Sequence, residues 1–281
     1  MTSPSATQGV SCLVGWLLAA QLTVISVQSS VAAEPSTLER IKKSGVLTIC
    51  LDPDNLPYSH SKKTPPGFDI EVSEQLAKGL GVKTKFFWVD TLRDTPLGEL
   101  LEEECDCAVG AAIDENVGAE EMLNLSGKIL FTRPYYGTGY VLIVKEGGPQ
   151  AKKLEEWKGK KLGAEAGSVA DYELNLKGHD RRLYPMQNSI FTGVESGEVA
   201  AGFMWAPNVG FLLKEDPKLK FKLVDGYVPE QGFRWNIGVA VRKEDKELKE
   251  AFDKVIQQLV ETGEAKKLIA SYGVPYFPPF E

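Results

Sequence analysis

The chain is poor in the residues that most chemistry needs. Of its 281 residues two are histidines and four are cysteines, and 32 lysines and arginines are outnumbered by 39 aspartates and glutamates, giving a formal net charge of −7. Nucleic-acid binding needs a basic face, so the acidic balance argues against it. His60 sits in a polar loop and His179 among charged residues after Gly178. No Gly-x-Ser-x-Gly elbow, phosphate loop, His-Glu-x-x-His pair or dinucleotide fingerprint accompanies them, so catalysis has no motif behind it and no cofactor or metal is expected. Internal repeats and low-complexity stretches are absent as well. After residue 33 nothing is long and apolar enough to span a membrane.

The first 33 residues contain no Lys, Arg, Asp or Glu. Residues 13–27 are mostly apolar and Val31-Ala32-Ala33 fits a small-residue cleavage site, the pattern of a secretory signal peptide, although no basic side chain precedes Leu13. A membrane anchor is the competing reading, but Gln21, Ser26 and Gln28 make the run too short and polar. Cys12 lies too early for a lipoprotein site. Residues 1–33 are therefore expected to be removed and the mature protein to be periplasmic. Cys50, Cys105 and Cys107 remain, an odd number that leaves at least one unpaired or paired between chains. Cys105-Asp106-Cys107 is too tight for a Cys-x-x-Cys redox motif. With Glu102, Glu103 and Glu104 it suggests either a metal site or, the favoured reading, a solvated helix end running into a buried strand.

From residue 37 strands and helices alternate. Residues 37–43 read as a short amphipathic helix and Val46-Leu47-Thr48-Ile49-Cys50-Leu51 as a buried strand. Residues 69–78 form a helix with Ile70, Val72, Leu76 and Ala77 near one face, stopped by Gly79 and Gly81. A strand at 82–89, a helix at 96–103 and a strand at 107–113 complete a β-α-β-α-β order, which implies a parallel sheet. A second unit starts after Val141-Leu142-Ile143-Val144. It reads as helix, turn and strand over 154–164, a helix opened by Gly167-Ser168, a helix at 189–196 and a strand at 199–205. Pro207 then sits in the first turn of another helix. A strand at 237–241 and helices at 246–261 and 263–271 follow, Leu248, Phe252, Ile256 and Leu259 supplying a core face.

The loop Asp52-Pro53-Asp54-Asn55-Leu56-Pro57-Tyr58 follows the first strand. In open parallel sheets ligands bind just beyond the carboxyl ends of strands, so this loop is the first candidate for ligand contact. Asp52 and Asn55 are explained equally well by turn formation.

These pieces, in this order, resemble the type II periplasmic solute-binding proteins of the family 3, amino-acid-receptor-like group. The resemblance covers residues 38–274 and rests on Gly45-Val46-Leu47-Thr48-Ile49, Gly67-Phe68-Asp69-Ile70, the strand at 105–110, Pro134-Tyr135-Tyr136, residues 154–167, Ser196-Gly197-Glu198-Val199 and the last two helices. It implies an α/β fold of two lobes, each a central sheet flanked by helices, with two hinge crossings near 137–141 and 236–239. Lobe one would be 35–138 plus 238–281, and lobe two 139–237. A narrower resemblance is carried by residues 50–59, Thr132-Arg133-Pro134-Tyr135-Tyr136, Phe203-Met204-Trp205-Ala206-Pro207 and Tyr272-Gly273-Val274-Pro275. It is to the binding-protein-like components associated with quinoprotein (methanol-type) dehydrogenases, although the usual long insertion after Gly163 has no match. That resemblance implies a non-catalytic accessory whose partner is a periplasmic dehydrogenase.

Amino-acid receptors of the family hold the α-carboxylate with an Arg after the third strand, through a bidentate charge-assisted bond. An Asp at the end of a lobe-two strand takes the α-ammonium. Here residues 111–117 contain no Arg, and alignment on Ser196-Gly197-Glu198-Val199 puts Trp205 where that Asp is expected. Losing a buried bidentate partner typically costs several kcal/mol, so tight binding of ordinary α-amino acids is not expected. The candidate ligand residues are Asp52, Asn55, Tyr58, Trp88, Asp114, Arg133, Ser168 and Trp205. Trp205 and Tyr58 would form opposite aromatic walls, with core packing the alternative for each. Packing is the favoured reading for Trp88 and for Trp235 beside a crossing. Arg133 is a cleft cation or, the favoured reading, a structural partner of Asp114 or Glu115. Ser168 opens a helix whose free N–H groups suit an anion, or it is an ordinary cap. The apolar tail Pro275-Tyr276-Phe277-Pro278-Pro279-Phe280 is expected to fold back on the body, with docking on a partner the alternative. Two functions compete: the dehydrogenase accessory, and a receptor that passes a small aromatic or weakly polar solute to ABC-transporter membrane subunits. An enzyme on this scaffold, such as a dehydratase, is the outlying alternative.

Overall fold

Runs of aliphatic and β-branched residues alternate with amphipathic helices, and each apolar face needs a partner layer. The computed structural model describes residues 34–113 and 127–281. The expected leader, Asp114 and Glu115 lie outside them. Helix α1 (Thr37–Ser44) starts in a capping box between Ser36 and Glu39 and ends on Gly45 at φ 72°. Then follow β1 (Val46–Leu51), the small hairpin β2 (Asp54–Asn55) and β3 (Ser59–His60), α2 (Phe68–Leu80), β4 (Lys83–Trp88), α3 (Pro96–Leu101), β5 (Cys107–Ile113), β6 (Ile129–Phe131) and β7 (Tyr136–Lys145). After a 3-10 turn at Leu154–Trp157 come β8 (Leu162–Glu165), α4 (Val169–Leu176), β9 (Arg181–Tyr184), α5 (Gln187–Ser196), β10 (Ala201–Trp205), α6 (Ala206–Glu215) and β11 (Phe221–Leu223). The chain closes with β12 (Arg234–Arg242), α7 (Lys246–Glu261) and α8 (Glu264–Ser271).

The main sheet path runs β4-β1-β5-β12-β7-β10-β8-β9, with β6 on β12 and β11 on β7. At one end β4, β1 and β5 are parallel, and at the other β10, β8 and β9 are parallel. The long strands β7 and β12 join the ends by pairing antiparallel, from Arg234 opposite Gly139 to Ile237 opposite Tyr136. Two cores flank this junction. One gathers Ile41, Leu47, Ile49, Phe68, Leu76, Val239, Phe252 and Ile256, and the other Leu142, Ile143, Trp157, Leu162, Ile190, Phe203, Met204 and Val209. A smaller cluster holds Val89, Leu100 and Ala240 around a disulfide between Cys50 and Cys105. That bond withdraws Cys105 from the metal alternative and leaves Cys107 as a free, buried thiol, whose pKa burial pushes up.

Several boundaries differ from the sequence expectation; α3 ends at Leu101 rather than residue 103, and α5 begins at Gln187 rather than residue 189. Helix α2 runs through Gly79 and ends only at Gly81, because at Gly79 a Cβ would stand 2.4 Å from Val255 Cγ2 of α7. That glycine permits helix packing and does not stop the helix. Strand β12 starts at Arg234 rather than residue 237, since residues 234–237 pair with β7. Strand β10 begins at Ala201, two residues later than expected. The tail does fold back. The Gly137 N–H donates to Phe277 O, Asn236 exchanges two hydrogen bonds with the Phe280 backbone, and the Arg234 guanidinium lies over the Phe280 ring at 4.7 Å. Tyr276 packs against the first core and Phe277 against the second, so the tail straddles the β7–β12 junction.

Candidate functional site

A cavity of about 350 Å³ opens at the carboxyl ends of β1 and β5 and is lined by Asp52, Asn55, Tyr58, Asp69, Tyr136 and Trp205, among others. A wider groove between α1, α2 and α7 is lined by the mixed charges of Lys42, Lys78, Glu247, Glu250 and Lys254. It lacks the apolar enclosure of a small-molecule site.

The first wall is built around the N-terminus of α2. Its free N–H groups are absorbed by the loop: Phe68 N–H donates to Pro57 O, Asp69 N–H to Tyr58 O, and Gly67 N–H to the Tyr272 hydroxyl. The approach is so close that a Cβ at Gly67, where φ is 116°, would lie 2.3 Å from Tyr58 O. Beneath it the Phe68 ring is fully buried against Tyr58, Tyr136 and Tyr272 at centroid separations of 5.2, 5.8 and 5.9 Å. This docking fixes both Tyr58 and Asp69.

Asp69 is 3% exposed, and its Oδ1 accepts from the Tyr135 hydroxyl at 2.8 Å. Burial pushes its pKa up to about 7, against the opposing pull of the Tyr135 hydrogen bond. Burial likewise raises the pKa of Tyr58, Tyr135 and Tyr136, so all three hydroxyls stay protonated. Asp52 is largely spent on the loop: Oδ1 accepts the Asp54 N–H and Oδ2 the Thr91 hydroxyl, both at 2.8 Å. Its turn-forming role and its place on the cavity coexist.

The second wall is aromatic. Trp205, at the end of β10, donates from Nε1 to the Tyr58 hydroxyl at 2.5 Å, and Tyr58 in turn faces Asn208 Oδ1 of α6 at 3.4 Å. Behind it Tyr140 meets Trp205, Trp235 and Phe203 at 5.4, 6.2 and 5.5 Å. Trp235 therefore packs at the β7–β12 junction. Burial raises the pKa of Tyr140 as well. Ser168 caps α4, accepting from Asp171 N–H, and Gly167 N–H goes to Asp171 Oδ2. Ser168 and Asp171 thus take two of the N–H groups at this end of α4 that suited an anion.

Of the sequence candidates, Asp52, Asn55, Tyr58 and Trp205 come together on the cavity. Trp88 packs on Phe86 at 5.4 Å, Ser168 is a cap, and the exposed Arg133 gives its backbone N–H to Asp253 of α7; none of the three lines it. Asp69 and Tyr136 line the cavity too, though neither stands among the sequence candidates. Asp69 stands in Gly67-Phe68-Asp69-Ile70 between two apolar residues, and a carboxylate inside a buried run was the available signal.

Two α/β cores joined through one antiparallel strand pair, with a pocket at strand carboxyl ends, form a type II periplasmic binding protein fold. The chain belongs to the bacterial extracellular solute-binding proteins, family 3, whose family model matches residues 47–275. It is similar to the lysine/arginine/ornithine-binding periplasmic protein of Escherichia coli, with 27% identity over 87% of this chain and 90% of that one. The L-cystine-binding protein TcyJ of Escherichia coli is also 27% identical, over 92% of this chain and 94% of its own length. Among solved structures, the L-cystine solute receptor of Neisseria gonorrhoeae in its unliganded open conformation superposes with a TM-score of 0.72 at 22% identity, covering 85% of this chain and 98% of that one. Among the described residues no helix is long and apolar enough to cross a membrane.

Proposed function

We propose that this protein is a periplasmic, non-catalytic receptor for a small solute other than an α-amino acid, delivering it to the membrane subunits of an ABC transporter. The observation that carries the reading is the cavity of about 350 Å³ at the strand ends, in a chain of a solute-binding family. The relatives' ligands are amino acids, and the site speaks against copying them here. Trp205 fills the position expected for the ammonium-binding Asp, residues 111–117 hold no Arg, and Ser168 and Asp171 already accept N–H groups at the α4 N-terminus. Lobe one is 35–138 plus 238–281 and lobe two 139–237, closing by rotation about the β7–β12 pair. The division of the buried residues into two cores supports that split. The test is a solute screen read by melting shift and tryptophan fluorescence. A true ligand raises the melting temperature in proportion to its excess over Kd, and a flat response across a broad panel overturns the proposal.

A second reading has its own support. The cleft is already bridged by the Trp205–Tyr58 bond, as in a protein whose lobes present a surface rather than seize a solute. This favours the accessory of a quinoprotein (methanol-type) dehydrogenase. Co-purification with a periplasmic quinoprotein dehydrogenase supports that role, and no complex with one at micromolar concentration rules it out.

A further inference from the structure

The cavity carries a charge that its walls do not answer. Asp69 has one carboxylate oxygen on Tyr135, and among the described residues no donor reaches Oδ2. Gly110, at φ 84°, is what leaves that oxygen room, since a Cβ there would stand 2.3 Å from it. Both residues line the cavity. Among the described residues no Lys, Arg or His lines it. A buried carboxylate without a counter-charge is costly, and the group answers by neutralising or by acquiring a cation. The remaining walls offer the aromatic rings of Tyr58, Tyr136 and Trp205, the surface that attracts an alkylammonium.

We propose that this pocket is a cation site for a small organic ammonium ion without a carboxylate, its charge on Asp69 Oδ2 and its alkyl groups against Tyr58, Tyr136 and Trp205. The proposal rests on the receptor reading and names its ligand class. The groups facing Asp69 are Tyr135 and Tyr136 of the β7 segment, Tyr58 of the loop, and Asp52 across the cavity. The three tyrosines remain neutral, so Asp69 is the group whose titration binding would alter. Because burial holds its pKa at about 7, a cation binding below that pH must expel a proton.

The test is calorimetry on the full mature chain with choline and tetramethylammonium chloride, against acetate and the neutral isostere of choline in which carbon replaces nitrogen. Neither cation titrates, so any pH dependence belongs to the protein. The expected result is preference for the cations over the isostere by about tenfold or more, with affinity increasing between about pH 5.5 and about pH 8. Proton release, read from the buffer dependence of the binding heat, is expected at the lower pH. Asp69→Asn should remove both the preference and the pH dependence. Should that variant fail to fold, proton release by the unaltered protein still decides. Equal binding of the isostere, or cation binding without proton release, overturns the cation site. A response confined to neutral or anionic solutes overturns it too but leaves the receptor standing, whereas silence across every class removes both.

Discussion

The two walls of the cavity are made by opposite means. The wall from β1 and α2 is assembled by backbone hydrogen bonds, a glycine that admits no Cβ and a buried ring, and it carries the one deeply buried carboxylate of the cavity. The wall from β10 and β7 is a cluster of Trp205, Tyr140 and Trp235 rings set edge to face, which meets Tyr58 through an indole N–H, beside the Asn208 amide of α6. The buried carboxylate therefore sits in a wall held by its own backbone hydrogen bonds and a buried ring. Shape and closure belong to a wall that meets it across the cavity through the Trp205–Tyr58 and Tyr58–Asn208 hydrogen bonds, with α6 also packed on the segment after α8.

The harshest way to break this comparison is to empty the first wall. Phe68→Ala removes a fully buried ring in contact with three tyrosines, and truncations of this kind cost about 3–5 kcal/mol. Denaturant titration should show a loss of that size, with Tyr58 and Asp69 losing their positions together. A loss near zero would mean that the α2 docking does not hold the wall.

Next in size is the protonation of Asp69. Its folded pKa of about 7 lies above the ordinary carboxylate value of 3.8, so the folded state holds the proton more tightly than the unfolded chain does. This contribution to stability is fully present below the ordinary value, is lost as pH rises through the window between the two, and stays lost above it. The swing is on the order of a few kcal/mol. Other carboxylates superimpose their own trends, so the measurement is the difference between the unaltered protein and Asp69→Asn across that window. Parallel pH curves would show that Asp69 titrates normally and that the first wall carries no stored charge.

How far the sequence disclosed these walls depends on the range of the forces that made them. Alternation and periodicity are local, so the strands, most helix limits and the parallel order of β4, β1 and β5 were legible. Gly79 was misread because its reason, contact with Val255, is a tertiary one. Asp52, Asn55, Tyr58 and Trp205 were found because they end strands or occupy a recognisable alignment position. Asp69 was not, since its meaning comes from Tyr135 and Gly110, both about forty residues or more along the chain and brought near only by the sheet. Ser168 was legible as a helix opener because its cap on Asp171 N–H is a local contact.

The gentlest test is at the second wall. Trp205→Phe keeps an aromatic plane and deletes the N–H that reaches Tyr58. A single hydrogen bond of this kind is worth about 1 kcal/mol net, which corresponds to roughly a fivefold change in an equilibrium. If that equilibrium is the parting of the two walls, the radius of gyration in solution should increase and ligand affinity should weaken by the same factor. The melting temperature should hardly move, because Trp205 is only partly buried and Tyr58 still faces Asn208. Phe68→Ala must do the reverse, lowering stability while leaving the expansion of the surviving folded fraction unchanged. A Trp205→Phe variant that melts as early as Phe68→Ala would show that the aromatic wall is structural core, and the division between a fixed charged wall and a parting aromatic one would fail.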